Sequence, residues 1–252
     1  MQANQANLDP REIAQFEALS AQWWDADGPF RMLHRLGPLR LAYIRDAATG
    51  HFDLDKNARR PLQGLNCLDI GCGGGLIAEP LQRLGGCVSA IDPAAKNIEA
   101  ARHHATASGL DIDYQATTAE AIAATGRTFD IVTCLEVIEH VPSPTEFVAT
   151  LSKCVAPGGM IVLSTINRTS KSYALAIIGA EYVLSWLPRG THDWTRFVTP
   201  NELRSNCEAA GLSGYRCEGI VYNLLRDRWQ RSPDTGVNYM AAAFKPQPPP
   251  TT

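Results

Sequence analysis

No Cys-x-x-Cys pair occurs in the 252 residues, and the seven cysteines (67, 72, 87, 134, 154, 207 and 217) follow no regular spacing. An odd count without a framework offers no disulfide scaffold and points to a reducing compartment. Cys67, Cys87, Cys134 and Cys217 sit inside apolar runs, where a free thiol behaves as a small hydrophobe. A polybasic tail is missing as well, and the net charge of −3 at pH 7 gives no general attraction to nucleic acid, so no nucleic-acid partner is expected. The opening "MQANQANLDPREIAQFEAL" lacks the apolar core of a secretory signal and is acidic for a transit peptide, so the cytoplasm of a bacterium, or a processed or organelle-like equivalent, is the expected location. Internal repeats and a clear linker are absent too. The length suits one large α/β domain or two small ones. The expected division is one domain over 1–245, with a helical cap at about 9–50, an insertion at about 168–195 and a disordered tail, "PQPPPTT", at 246–252.

What is present is an alternation of strand and helix patterns. Asp9 and Pro10 read as N-cap and first helical position, with Glu12 as capping-box partner. That helix would place Ile13, Phe16, Leu19 and Trp23 on one face. Gly28-Pro29 and Gly37-Pro38 read as breaks, so a second helix would start near Leu39 and present Leu41 and Ile44. Beyond residue 64, "LNCLDIG", "CVSAID", "IDYQAT", "FDIVTCL" and "MIVLSTIN" read as five strands. Between them, "LIAEPLQRLG", "PAAKNIEAARHHATASG" and "PTEFVATLSKCVAPGG" read as helices, the last closed by Pro-Gly-Gly. A helix "TPNELRSNCEAAG" and strands "SGYRCEGIVYN" and "GVNYMAAAFKP" follow. Such β–α units predict an α/β fold with a doubly wound, mostly parallel sheet.

"LDIGCGGG", from Leu68 to Gly75, falls at the first strand-to-helix turn. Gly71 and Gly73 let the backbone approach a ligand, and the following helix offers free N–H groups; a tight turn that merely needs glycine is the plainer alternative. Asp92 ends the second strand about 20 residues on, where an acid reads a ribose diol. A nicotinamide dinucleotide is disfavoured: its fingerprint wants glycine where Leu76 stands, and Asp69 would oppose a diphosphate. An acid before the loop suits a cationic or amine-bearing ligand.

The fourth strand runs into "EVIEH". In an open parallel sheet, residues after a strand's carboxyl end face the ligand crevice. A helical turn would put Glu136, Glu139 and His140 on one face; a continuing strand would send Glu139 the other way. Pro142 limits any such turn to a short one. Two carboxylates and an imidazole, with water, can hold a hard divalent ion such as Mg²⁺, although histidine is an unusual ligand for it. His140 can instead serve as a general base. The acids can also simply favour a helix N-terminus through its dipole, with His140 capping a turn.

"LDIGCGGG", "AID" at 90–92, "FDIVTCLEVIEHV" and "APGG", in that order, resemble the class I S-adenosylmethionine-dependent methyltransferases, a Rossmann-like fold. "WWD", "LHR", "PLRL", "GAEY", "GTHDW" and "VNYM" narrow the resemblance to the ubiquinone-biosynthesis O-methyltransferases, from about residue 9 to about 245. The resemblance implies S-adenosylmethionine as cofactor, which carries a sulfonium, an ammonium and a ribose. Its contacts would be Arg40, Gly71, Asp92 and Leu135, joined by Asp69 and Gly73 from the loop. Arg40 would pair with the methionine carboxylate, unless it is a surface arginine on an amphipathic helix. The acceptor would be a hydroxyl of a polyprenylated catechol or quinol, within a ubiquinone-biosynthesis complex. The resemblance also implies a divalent metal at Glu136, Glu139 and His140, the three residues that would carry catalysis. A methyltransferase for another phenol or amine, and a non-catalytic lipid-binding member, remain alternatives.

"YALAIIGAEYVLSWL" (Tyr173 to Leu187) has Glu181 as its only charge and is short for a membrane span. With Arg168, Lys171 and Arg189 flanking it, the segment reads either as a lid that docks on anionic lipid at the inner membrane or as a buried helix over the site.

Overall fold

The architecture is given by a computed structural model that describes residues 10–174, 194–223 and 226–248. Five strands pair in parallel: β1 (Asn66–Ile70), β2 (Cys87–Asp92), β3 (Asp113–Ala116), β4 (Phe129–Leu135) and β5 (Val155–Ile166). β6 (Ser213–Asn223), β7 (Arg228–Ser232) and β8 (Asn238–Phe244) complete the sheet by antiparallel pairing, in the order β3-β2-β1-β4-β5-β8-β6-β7. The expected doubly wound α/β sheet is what forms.

Both faces are covered, which explains the near-continuous apolar strands. On one face Cys67, Ile131, Met160 and Val162 pack against α2 (Arg31–His51), α3 (Ala78–Arg83) and α4 (Ala95–Ala107). On the other, Leu68, Val132, Ile161 and Leu163 meet α5 (Ala119–Ala124), α6 (Pro144–Cys154) and α8 (Pro200–Ala209). A single turn, α7 (Ser170–Ser172), follows β5, with Thr169 closing a capping box on Ser172.

Some local expectations change. α1 (Pro10–Ala18) starts at Pro10, but it ends before Leu19 and Trp23, and of the four expected core residues only Trp23 is fully buried. The second cap helix does not start near Leu39: α2 runs unbroken from Arg31, with Pro38 inside. The residue before a proline is normally kept out of helix by its own Cβ, and Gly37 has none. Pro157-Gly158-Gly159 belongs to β5 rather than closing α6, because Gly158 N donates to Lys245 O and Lys245 N to Gly159 O, both at 2.9 Å. α6 ends instead where Lys245 Nζ donates to the carbonyls of Ser152 (2.8 Å) and Val155 (2.9 Å). α5 was not expected; Thr118 caps it, accepting from Ala121 N at 3.3 Å. β7 was not expected either, since "RWQRS" is a polar edge strand without the apolar pattern of an interior one. Most of the insertion, the apolar run beyond residue 174 and the last four residues of the tail lie outside the described residues. Among the described residues no helix is long and apolar enough to cross a membrane.

Pro38 is exposed and deprives α2 of one backbone donor. Pro38→Ala is therefore expected to raise the urea midpoint, by up to about 3 kcal/mol of stability. A lower midpoint would mean that the packing of α2 needs the proline.

Candidate active site

The turn after β1 is fixed by the strand beside it: the N–H groups of Gly71 and Cys72 both donate to Ile91 O, at 2.9 and 3.0 Å. Gly71 has φ +71°, and a Cβ there would overlap Val137. At Gly73 (φ +52°) a Cβ would enter the ring of Trp23. Glycine is thus required twice, by conformation and by close approach. Asp92, at the end of β2, is buried. Its Oδ2 accepts from Gly73 N at 3.0 Å, and its Oδ1 from Ala94 N at 2.9 Å and Asn97 Nδ2 at 3.2 Å. Burial raises its pKa, against the pull of these donors.

The cap closes over this turn. Trp23 stacks on Phe30 with ring centroids 3.7 Å apart and donates Nε1–H to Asn97 Oδ1 at 2.9 Å. Trp24 donates to Gly74 O at 2.9 Å, and its ring lies flat on His104, whose Nδ1 is 2.6 Å from the buried carboxylate of Glu79. None of Trp24, Asn97, His104 or Glu79 was singled out from the sequence. The nearest signal was the Trp23-Trp24 pair in an otherwise polar stretch.

Asp69 lies opposite Thr133 in the β1–β4 register, and Thr133 Oγ1 donates to its Oδ1 at 2.6 Å. Its Oδ2 is buried without a partner. Burial pushes the carboxyl up to about 7, partly offset by the Thr133 hydrogen bond and, least, by the backbone N–H of Ala78, with the charge of Asp92 adding to the rise. A buried carboxylate oxygen lacking a donor beside a glycine turn fits a ligand that brings a positive charge.

The end of β4 follows neither expected course. Leu135 is the last strand residue and half-buried; Glu136 adopts φ +55°, and Ile138–His140 form one 3₁₀ turn. Val141 is extended, as Pro142 demands. Glu136 N still donates to Ser164 O at 3.0 Å, so the chain stays moored to β5. The Glu136 carboxylate is held on one oxygen by Arg40 Nη2 and Ser164 Oγ, each at 2.7 Å. Glu139 is instead buried against Thr165, whose Oγ1 donates at 2.9 Å, while its other oxygen has no partner. Burial first, then the charge of Glu136, pushes Glu139 up to about 8, with His140 opposing. His140 is half-buried, its ring edge-on to Phe16 at 5.9 Å.

Ser164 and Thr165 are successive residues of one strand and point to opposite sides of the sheet. Glu136 is therefore drawn to the α2 side and Glu139 to the α6 side. Among the described residues no three His, Cys, Asp or Glu side chains converge as a metal-ligand group. Glu136, Glu139 and His140 as arranged do not fit the Mg²⁺ set the resemblance implied: Arg40 already neutralises one carboxylate, and the strand separates it from the other. Arg40 is no surface arginine; its side chain is 5% exposed. Arg40, Asp69, Gly71, Gly73, Asp92, Leu135, Glu136 and His140 do converge at the carboxyl ends of β1, β2 and β4, where α/β sheets bind ligands.

Fold and site define a methyltransferase, and a family model described as a methyltransferase domain matches residues 42–215. Solved structures agree in fold: a magnesium protoporphyrin IX methyltransferase from Synechocystis, with bound SAH, aligns at TM-score 0.61 and 20% identity over 92% of this chain and 94% of that one. An SAM-dependent methyltransferase from Thermotoga maritima aligns at TM-score 0.60 and 16% identity, over 91% and 99%. Curated relatives are far nearer in sequence. The ubiquinone biosynthesis O-methyltransferase of Methylobacterium nodulans is 51% identical over 95% of this chain and 96% of its own. That of Parvibaculum lavamentivorans is 51% identical over 96% and 95%. The chain belongs to the ubiquinone biosynthesis O-methyltransferase family.

Asp69 yields a test. Its folded pKa lies above its unfolded one, so the stability it lends is full below about pH 4 and lost as pH rises through about 7, at no more than about 1.4 kcal/mol per pH unit. Asp69→Asn keeps an acceptor for Thr133 but has no proton to lose. Unfolding in urea across pH 4–8 should show a weaker decline in the variant, with the Glu139 contribution remaining. Calorimetry at pH 8 should show S-adenosylhomocysteine binding at least about tenfold weaker, a loss of about 1.4 kcal/mol. Unchanged affinity would remove Asp69 from the cofactor site.

Proposed function

We propose that this protein transfers the methyl group of S-adenosylmethionine to a hydroxyl of a polyprenylated catechol or quinol in ubiquinone biosynthesis, within one domain spanning 1–245. The observation that carries this reading is the unpartnered carboxylate oxygen of Asp69 beneath the glycine turn, beside the ribose-reading position of Asp92. The cofactor, when bound, supplies an electrophilic methyl on a sulfonium. Asp69 favours the cationic amino-acid end. Gly71 and Gly73 admit the ligand against backbone, Leu135 packs beside it, and Asp92 retains acceptor capacity for a ribose hydroxyl.

A phenol with a pKa of about 10 is a poor nucleophile at neutral pH until its proton is removed. His140 is the residue we assign to that proton: its half-buried ring lies edge-on to Phe16, in the turn that follows β4. Glu136 accepts a hydrogen bond from the diol and orients it, so that positioning supplies much of the rate. No step is routed through a metal, because the donor set as folded does not fit one. Peripheral docking at the inner membrane is supported by the apolar run "YALAIIGAEYVLSWL" with Arg168, Lys171 and Arg189 flanking it.

His140→Ala is expected to lower kcat by about 10²–10⁴, the range of general-base catalysis, with S-adenosylhomocysteine affinity within about threefold of wild type. Mass spectrometry of a prenylated catechol incubated with enzyme and S-adenosylmethionine reads the product directly. Methylated product that persists in excess chelator supports the metal-free assignment. Abolition by chelator, with recovery on added Mg²⁺, would overturn it.

A further inference from the structure

Arg40 is a cation placed where two anions want it. Its Nη2 donates to Glu136 Oε1 at 2.7 Å, yet its Nε–H is buried without a partner. The side chain is 5% exposed, against 24% for Glu136, so the pair lies at the inner wall of the crevice with the carboxylate toward the opening. A guanidinium presents Nε and a terminal nitrogen on one edge as a fork matched to a carboxylate. Here the Nε of that fork has no acceptor. Glu136 does not depend on Arg40 alone, since the Ser164 hydroxyl donates to the same oxygen at 2.7 Å and the Glu136 N–H is bonded to Ser164 O.

We infer that Arg40 is shared between the α-carboxylate of the cofactor and Glu136, coupling cofactor occupancy to the side of the site that receives the diol. This deepens the proposed function and rests on it. A carboxylate that reaches the buried, unpartnered Nε draws the guanidinium toward itself. Two carboxylates on one guanidinium repel, so the arriving anion weakens the hold on Glu136. Glu136, still moored by Ser164, then has acceptor capacity for an aromatic hydroxyl. The amino-acid tail of the cofactor thereby prepares the acceptor side, and binding is ordered, cofactor first. Linkage requires the converse: Glu136 holds cofactor affinity down by competing for Arg40.

The test compares two nucleosides that differ in that tail. S-adenosylhomocysteine has the α-carboxylate; 5′-methylthioadenosine keeps the adenosine and sulfur but lacks it. By calorimetry, Glu136→Gln should tighten S-adenosylhomocysteine by at least about fivefold, the lower end of site-to-site coupling, and leave methylthioadenosine unchanged. In an Arg40→Gln background the gain should vanish; Arg40→Lys, which keeps charge but not the fork, serves if that variant does not fold, and there the gain should shrink. With wild type, S-adenosylhomocysteine but not methylthioadenosine should strengthen binding of a short-tailed catechol. Sharing of Arg40 is overturned if Glu136→Gln leaves S-adenosylhomocysteine unchanged or weaker, or shifts both nucleosides alike. It is also overturned if the gain persists undiminished in the Arg40 variants, which would be plain charge repulsion. Failure of wild type to bind either nucleoside would instead defeat the underlying methyltransferase reading.

Discussion

Parallel pairing of β1 with β2 and β4, and of β4 with β5, brings four carboxylates to one edge of the sheet: Asp69, Asp92, Glu136 and Glu139. Like charges in a poorly solvated crevice are costly, and each acid meets that constraint differently. Asp92 takes three donors, one from the glycine turn after β1 and two from its own turn and helix. Glu136 takes a guanidinium and a hydroxyl. Asp69 and Glu139 have one hydroxyl each and an unpartnered oxygen, and both are pushed up into the neutral range. Asp69, Asp92 and Glu136, the three that face the crevice, give it a surplus of acceptors that suits a ligand bearing a sulfonium and an ammonium, while Glu139 stays on the far side of the strand.

The cap is fastened to that crevice by specific polar contacts as well as by buried apolar side chains. Trp23 reaches Asn97, which in turn steadies Asp92, and Trp24 holds the carbonyl of Gly74. The indole of Trp23 fills the space a side chain at position 73 or 74 would need. Loop and cap are mutually specified, so the glycines serve packing as well as any ligand.

Where a feature is set by local sequence, the chain was readable. Apolar runs ending in Gly or Asp mark β1 and β2, the apolar run "FDIVTCL" marks β4, and the glycine turn with its two acids falls where the sequence places it. What was not readable depends on neighbours distant in sequence. Helix α2 survives Pro38 because Gly37 lacks a Cβ and the face carrying Tyr43, Ile44 and Ala48 is buried. β7 exists because β6 offers it an edge, with Arg231 paired to Glu218 and Asp46, and nothing in "RWQRS" announces it. In "EVIEH" the residue types are legible, but the directions of the two glutamates are dictated by Ser164 and Thr165, which follow them by 28 and 26 positions. A polar pair inside "MIVLSTIN" was the available clue.

That Ser–Thr step has a consequence for how the site can change over evolutionary time. Two glutamates three residues apart, which by sequence look like one functional unit, are governed by two separate hydroxyls on opposite sides of a single strand. A substitution at position 164 perturbs the acid that communicates with α2 and leaves the other in place; one at 165 does the reverse. A short contiguous motif is in this way divided into two halves anchored by different hydroxyls of β5, while the charge of Glu136 still reaches Glu139 across the strand.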